Sequence, residues 1–220
     1  MPESRQAALF DMDRTLIRKD TATLYTRYQR DVGEAGLSDV LQVGWWLLQY
    51  TFGVIDAPRV AQKVLAGYRG RDEKSMIASC DVWFADYVLP HVCDAGREAV
   101  RRHQDAGDVV AIVTSATPYA AEPLARELGI EHVVCTRLEV DAEGLFTGRL
   151  VQPMCYGPGK IERTQRIAES EGFELGAATF YSDSITDLPL LERVKTPIAV
   201  NPDARLRRIA RRRSWPIERW

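Results

Sequence analysis

Four short, largely apolar runs along the chain end in polar residues. Ala7-Ala8-Leu9-Phe10 runs into Asp11, and Val109-Val110-Ala111-Ile112-Val113 runs into Thr114-Ser115. Ala178-Thr179-Phe180-Tyr181 ends in Ser182-Asp183, and Pro197-Ile198-Ala199-Val200 ends in Asn201-Pro202. A strand covered on one face alternates apolar with polar, so unbroken runs of this length predict parallel strands buried on both faces. Between them, residues 95–105, 120–128 and 161–170 carry helical patterns, followed by Gly107, Gly129 and Gly172 as stop signals. Strand alternating with helix predicts an α/β fold, a Rossmann-like parallel sheet with helices on both faces.

Two segments break this rhythm. Residues 138–151 read as a β-hairpin with Glu143-Gly144 near its turn. Residues 21–87 have helical texture and no convincing β run, directly after the first strand, which predicts an inserted helical cap. The expected division is a core of residues 1–19 and 88–220 and a cap of residues 20–87. Within the insertion, residues 40–55 read VLQVGWWLLQYTFGVI. That is shorter than the ~20 residues a membrane span needs, and Gln42 and Gln49 interrupt it. Trp45, Trp46, Leu48 and Phe52 fall on or near one helical face, so a buried helix is the expectation and a membrane-surface or dimer contact the alternative.

Composition narrows the class. The 220 residues are 45% hydrophobic and 27% charged, an ordinary globular balance. A net charge of -2 supplies no argument for nucleic acid or another strongly charged partner. Cys80, Cys93, Cys135 and Cys155 have no metal-ligand spacing and read as buried free thiols. His91, His103 and His132 show no metal spacing either. No signal-peptide pattern follows Met1, so a reducing cytoplasm is expected. The Arg-rich stretch from Arg205 to Trp220 reads as a solvated last helix.

Ligands of open α/β sheets bind outside the carboxyl ends of the strands. Those ends bring together Asp11 and Asp13, Thr114 and Ser115, and Asp183 and Asp187, while Lys160 opens the helix before the third run. Four carboxylates cannot stay ionised and close together without a cation. An all-oxygen donor set favours a hard ion such as Mg²⁺. A Mg²⁺ beside an ammonium and two hydroxyls makes a site for a phosphate group.

Asp11-Met12-Asp13-Arg14-Thr15-Leu16 resembles the DxDxT signature of the haloacid dehalogenase superfamily of phosphohydrolases. Thr114, Lys160 in Gly157-Pro158-Gly159-Lys160, and Asp183-Ser184-Ile185-Thr186-Asp187 are similar to its three later motifs, in order. The spacing, hairpin and early insertion look like the phosphoserine-phosphatase-like branch, and the resemblance covers nearly the whole chain. It implies that Asp11 attacks phosphorus and forms an aspartyl-phosphate. Asp13 then protonates the leaving oxygen and later activates water, with its pKa raised by crowding from Asp11, Asp183 and Asp187. Asp11, the backbone carbonyl of Asp13 and Asp183 would bind Mg²⁺, and Asp187 would act behind them. Thr114, Ser115 and Lys160 would hold the phosphate.

Two motifs depart from that branch. Thr186 stands where Asn is usual, and Thr114-Ser115-Ala116 replaces Ser followed by two glycines. Both keep the chemistry and leave the substrate open. Asp20 falls where the branch carries an acidic residue that recognises a substrate amine; an N-cap is the competing role. The implied function is hydrolysis of a small phosphorylated metabolite, with phosphoserine, histidinol phosphate or another amino-bearing phosphomonoester as candidates. Phosphotransfer to an acceptor other than water and a receiver-like phospho-accepting module are the alternatives. The oligomeric state is not legible.

Overall fold

A computed structural model of the chain describes residues 5–33 and 66–220. The strands are β1 (Ala7–Phe10), β2 (Val109–Val113), β3 (His132–Val134), β4 (Leu138–Val140), β5 (Phe146–Leu150), β6 (Thr179–Ser182), β7 (Thr196–Val200) and β8 (Ile217–Glu218). The α-helices are α1 (Thr21–Asp31), α2 (Glu73–Trp83), α3 (Asp94–Asp105), α4 (Pro118–Leu128), α5 (Pro158–Glu171), α6 (Leu188–Leu191) and α7 (Ala204–Arg212). Six strands form one sheet in the order β3-β2-β1-β6-β7-β8, parallel at every pairing. This is the predicted α/β sheet.

The unbroken apolar runs have the expected cause. Ala8, Phe10, Ile112 and Tyr181 face one hydrophobic cluster, with Val100 of α3 and Leu124 of α4. Their neighbours Leu9, Ala111, Val113 and Phe180 face a second cluster, with Ala168 of α5 and Leu206 of α7. Successive side chains point to opposite faces, so a strand sandwiched between helix layers must be apolar throughout.

The hairpin forms as β4 and β5, antiparallel, with Gly144 at φ 82° in its turn. It also joins the inserted segment: Gly70 N–H donates to Phe146 O at 2.8 Å, and Glu73 N–H donates to Gly144 O at 3.0 Å. Helices α1 and α2 pack against each other through Tyr25 edge-on to Trp83 at 5.4 Å and the Tyr28–Ser79 hydroxyl pair at 3.1 Å. Leu24, Cys80 and Trp83 of these helices continue the first core cluster. The stretch with Trp45 and Trp46 lies outside the described residues. Among the described residues no helix is long and apolar enough to cross a membrane.

The C-terminal expectation needs correcting. Helix α7 ends at Arg212, and the chain then turns back to add β8 to the sheet edge. Trp220 reaches the core side, its ring 5.4 Å from Tyr181. Aromatic and apolar residues around the arginines drive this return. The four cysteines are free and buried. His103 sits between Asp108 at 2.6 Å and Tyr181 Oη at 2.9 Å, a structural placement.

Candidate active site

The chain runs outward from β1 in one direction through β2 and β3, and in the other through β6, β7 and β8. Loops leaving the adjacent strands β1 and β6 therefore diverge and leave a crevice at their carboxyl ends. Asp11 follows β1 and Asp183 follows β6 at this switch point. A cleft of about 260 Å³ opens there, and its lining includes Asp11, Asp13, Asp20, Ser115, Asp183 and Asp187.

Lys160 ties the floor together. Its Nζ donates to Asp11 Oδ1 at 2.8 Å and to Asp187 Oδ2 at 2.8 Å, and the lysine is 2% exposed. Burial alone would lower its pKa, but the charges of Asp11 and Asp187 hold it well above the ordinary lysine value. The local sequence places it with little freedom. Gly157 starts α5 at φ 52°, Pro158 takes the first turn, and a Cβ on Gly159 would run into the Met154 carbonyl oxygen. Asp187 also accepts a 2.7 Å bond from the Ser182 hydroxyl.

Asp13 accepts from the Thr21 N–H at 2.6 Å, at the start of α1. Its carboxyl is raised to about 7, by burial first and then by the charges of Asp20 and Asp11, with the Thr21 N–H opposing. Of the expected crowding by Asp11, Asp183 and Asp187, Asp11 does contribute, but burial is the main cause and Asp20 the largest charge effect. Asp11 is raised to about 6, by burial, with Lys160 opposing and Asp187 adding. Asp183 is held well above the carboxylate range by burial and by Asp11 and Asp187, with Arg14 opposing. These directions describe an excess of buried negative charge over one buried ammonium. Among the described residues no three His, Cys, Asp or Glu side chains are arranged to hold a metal by themselves. An ion bound here would need main-chain oxygen and water to complete its shell.

Thr114 follows β2 at 1% exposure, and its Oγ1 accepts from the Ala116 N–H at 3.1 Å. Ser115 and Ala116 line the cleft; Thr114 shapes the turn beneath them. Asp20 is the N-cap of α1, accepting from the Thr23 N–H at 3.2 Å, and it lines the cleft as well.

A family model described as haloacid dehalogenase-like hydrolase matches residues 8–192. The chain belongs to this family. A phosphoserine phosphatase of Mycobacterium tuberculosis is 36% identical over 218 residues, covering 96% of this chain and 70% of that protein. A histidinol-phosphatase of Neisseria meningitidis is 30% identical over 217 residues, covering 97% and 98%. A crystal structure of a protein of unknown function from Bordetella pertussis superposes with a TM-score of 0.87 at 31% identity, covering 98% of each chain.

Two cleft residues of this hydrolase escaped the sequence reading. Arg14 is an exposed residue at φ 57°, a left-handed backbone that non-glycine residues seldom adopt. It lines the cleft, and its charge opposes the upward shift of Asp183. Its place inside the DxDxT turn was the available signal. Asp203 caps α7 by accepting from the N–H groups of Arg205 at 2.8 Å and Leu206 at 2.9 Å. Its other oxygen accepts from the Ile185 N–H at 2.7 Å, clamping the loop between Asp183 and Asp187. Asp203→Ala should cost about 1–2 kcal/mol of stability through the lost cap. It should also slow turnover roughly tenfold by loosening that loop, a positioning loss. Denaturant melts paired with steady-state rates check this, and an unchanged rate in a destabilised variant would confine Asp203 to capping.

Proposed function

We propose that this hydrolase is a phosphomonoester phosphatase that works through an aspartyl-phosphate on Asp11. The supporting observation is the Asp11–Lys160–Asp187 bridge beside Asp13 at the switch point. Lys160 holds Asp11 in one orientation and offsets the charge that would repel a phosphate dianion. Asp13, with a pKa near 7, can be protonated at neutral pH and hand its proton to the leaving oxygen. The same carboxylate, once deprotonated, can take a proton from the water that cleaves the intermediate. Ser115 and the main-chain N–H groups of the turn shaped by Thr114 would hold the phosphate oxygens with Lys160. Arg14 extends the cationic side of the cleft.

The donor set suits Mg²⁺: Asp11, Asp183 and the main-chain carbonyl of Asp13, with Asp187 held back by Lys160. All are oxygen donors carrying surplus negative charge, and Mg²⁺ keeps several waters in its shell. When bound, it would neutralise charge on the transferring phosphoryl group. Helices α1 and α2 would belong to a cap of residues 20–87 on a core of residues 1–19 and 88–220. The relatives' names put phosphoserine and histidinol phosphate first among substrates, and Asp20, which lines the cleft, would meet a substrate amine. Asp13 also favours turnover over a receiver-like role, since a module that only accepts phosphate needs no acid beside its nucleophile.

The test is phosphate release from a panel of phosphomonoesters. Activity should require Mg²⁺, persist with Mn²⁺, disappear with chelator, and be poorly supported by Ca²⁺, whose looser and higher coordination disturbs the geometry of attack. Full activity after thorough chelation would remove the metal from this scheme.

A further inference from the structure

Beside the catalytic cleft lies a second cavity of about 290 Å³. Its walls include Tyr25, Tyr68, Met76, Trp83, Tyr119 and Leu138, drawn from α1, α2, α4, the hairpin and the segment before α2. Thr21, Ala22 and Ala116 line both cavities, so the two adjoin. Among the described residues lining it, none is Asp, Glu, Lys, Arg or His, and burial pushes the Cys80 thiol up to about 12. The catalytic cleft, by contrast, is lined by carboxylates and Arg14. A phosphate seated against Asp11 would therefore leave the rest of its ester facing the aromatic cavity.

Resting on the phosphatase reading, we infer that this cavity is the leaving-group subsite and takes a phosphomonoester whose alcohol carries a flat, uncharged ring. Ionised groups are disfavoured there because an unpaired charge is costly to bury in apolar surroundings. Among the described residues lining the cavity, no cation is available for the carboxylate of phosphoserine. A ring, by contrast, removes apolar area from water on both sides and meets aromatic edges and faces. Burying a phenyl-sized group is worth ~2 kcal/mol, or roughly 30-fold in kcat/KM. Asp20 sits at the cleft, outside this cavity, so an amine near the phosphate is compatible with a ring deeper in.

The experiment compares 2-phenylethyl phosphate, phosphoethanolamine and phosphoserine, which differ in the group at the same distance from phosphorus. The wild type should prefer the ring ester over each of the others by about 30-fold in kcat/KM. Ala120→Phe fills the cavity from α4, and Met76→Ala opens its wall. Each should cut that preference, Ala120→Phe at least tenfold, while rates on phosphoethanolamine hold. Ligand-observed NMR of 2-phenylethanol reads the subsite without turnover, and binding to the wild type should vanish in folded Ala120→Phe. Preference for phosphoserine, or a preference unmoved in both variants, overturns the subsite and leaves the phosphatase reading standing. If none of the three esters is hydrolysed but 2-phenylethanol binds in an Ala120-sensitive way, ring binding by the cavity stands, and its role as a leaving-group subsite is overturned together with the phosphatase reading.

Discussion

Asp11→Asn is expected to lower turnover by on the order of 10⁴-fold and to abolish any covalent phosphoprotein. An amide is too poor a nucleophile to attack phosphorus, and two neighbouring carboxylates are already engaged. Asp187 is turned toward Lys160 and Ser182, and Asp13 is held by the Thr21 N–H. The informative contrast is Asp13→Asn. It would keep the proposed nucleophile and remove the proposed acid, so turnover should fall by ~10²–10⁴-fold. With an activated aryl phosphate, whose leaving group needs little protonation, this variant should accumulate aspartyl-phosphate, because water activation is lost as well. Rapid acid quenching and intact-mass measurement should find the added phosphoryl group on Asp13→Asn and none on Asp11→Asn. A label on Asp11→Asn would place the nucleophile elsewhere. A wild type that stays phosphorylated and never releases phosphate would turn the reading toward a receiver-like module.

Lys160→Met should be the second most damaging change, and it should act on stability as well as rate. Methionine keeps much of the buried stem but removes the ammonium between Asp11 and Asp187. Removing one partner of a buried ion pair typically costs about 3–5 kcal/mol, because the remaining charge is left uncompensated. Here two carboxylates are left, at 6% and 2% exposure. For a chain of this size the loss corresponds to a fall in melting temperature of roughly 10 °C. Protonation of the abandoned carboxylates offers partial relief, so the deficit should shrink as pH falls toward 5. Turnover should drop by about 10³-fold, as when a charge-stabilising donor is lost. Thermal melts at pH 5 and pH 8, with and without Mg²⁺, check the first half, and single-turnover rates check the second. A Lys160→Met protein as stable as the wild type at pH 8 would mean that the two carboxylates are not ionised together.

How much of this was legible in the sequence follows from how local each feature is. The runs at 7–10 and 109–113 identified β1 and β2 because burial on both faces demands apolar residues at every position. Strands β3 and β8, three and two residues long, are too short for any pattern to register and exist because a neighbouring strand offers its hydrogen bonds. The carboxylates of the cleft were readable because parallel strands end at one edge of the sheet, which makes strand-end residues neighbours whatever separates them in sequence. Their electrostatics were not. The acidity of Asp13 depends on burial and on Asp20 across the start of α1, and these distances exist only after folding. Asp203 belongs with the tertiary findings for the same reason, since its grip on the Ile185 N–H spans 18 residues. The aromatic cavity is the extreme case. Its walls come from α1, α2, α4 and the hairpin, each apolar residue there reads locally as ordinary core, and only the docking of these elements leaves a space between them beside the cleft of Asp11 and Asp13.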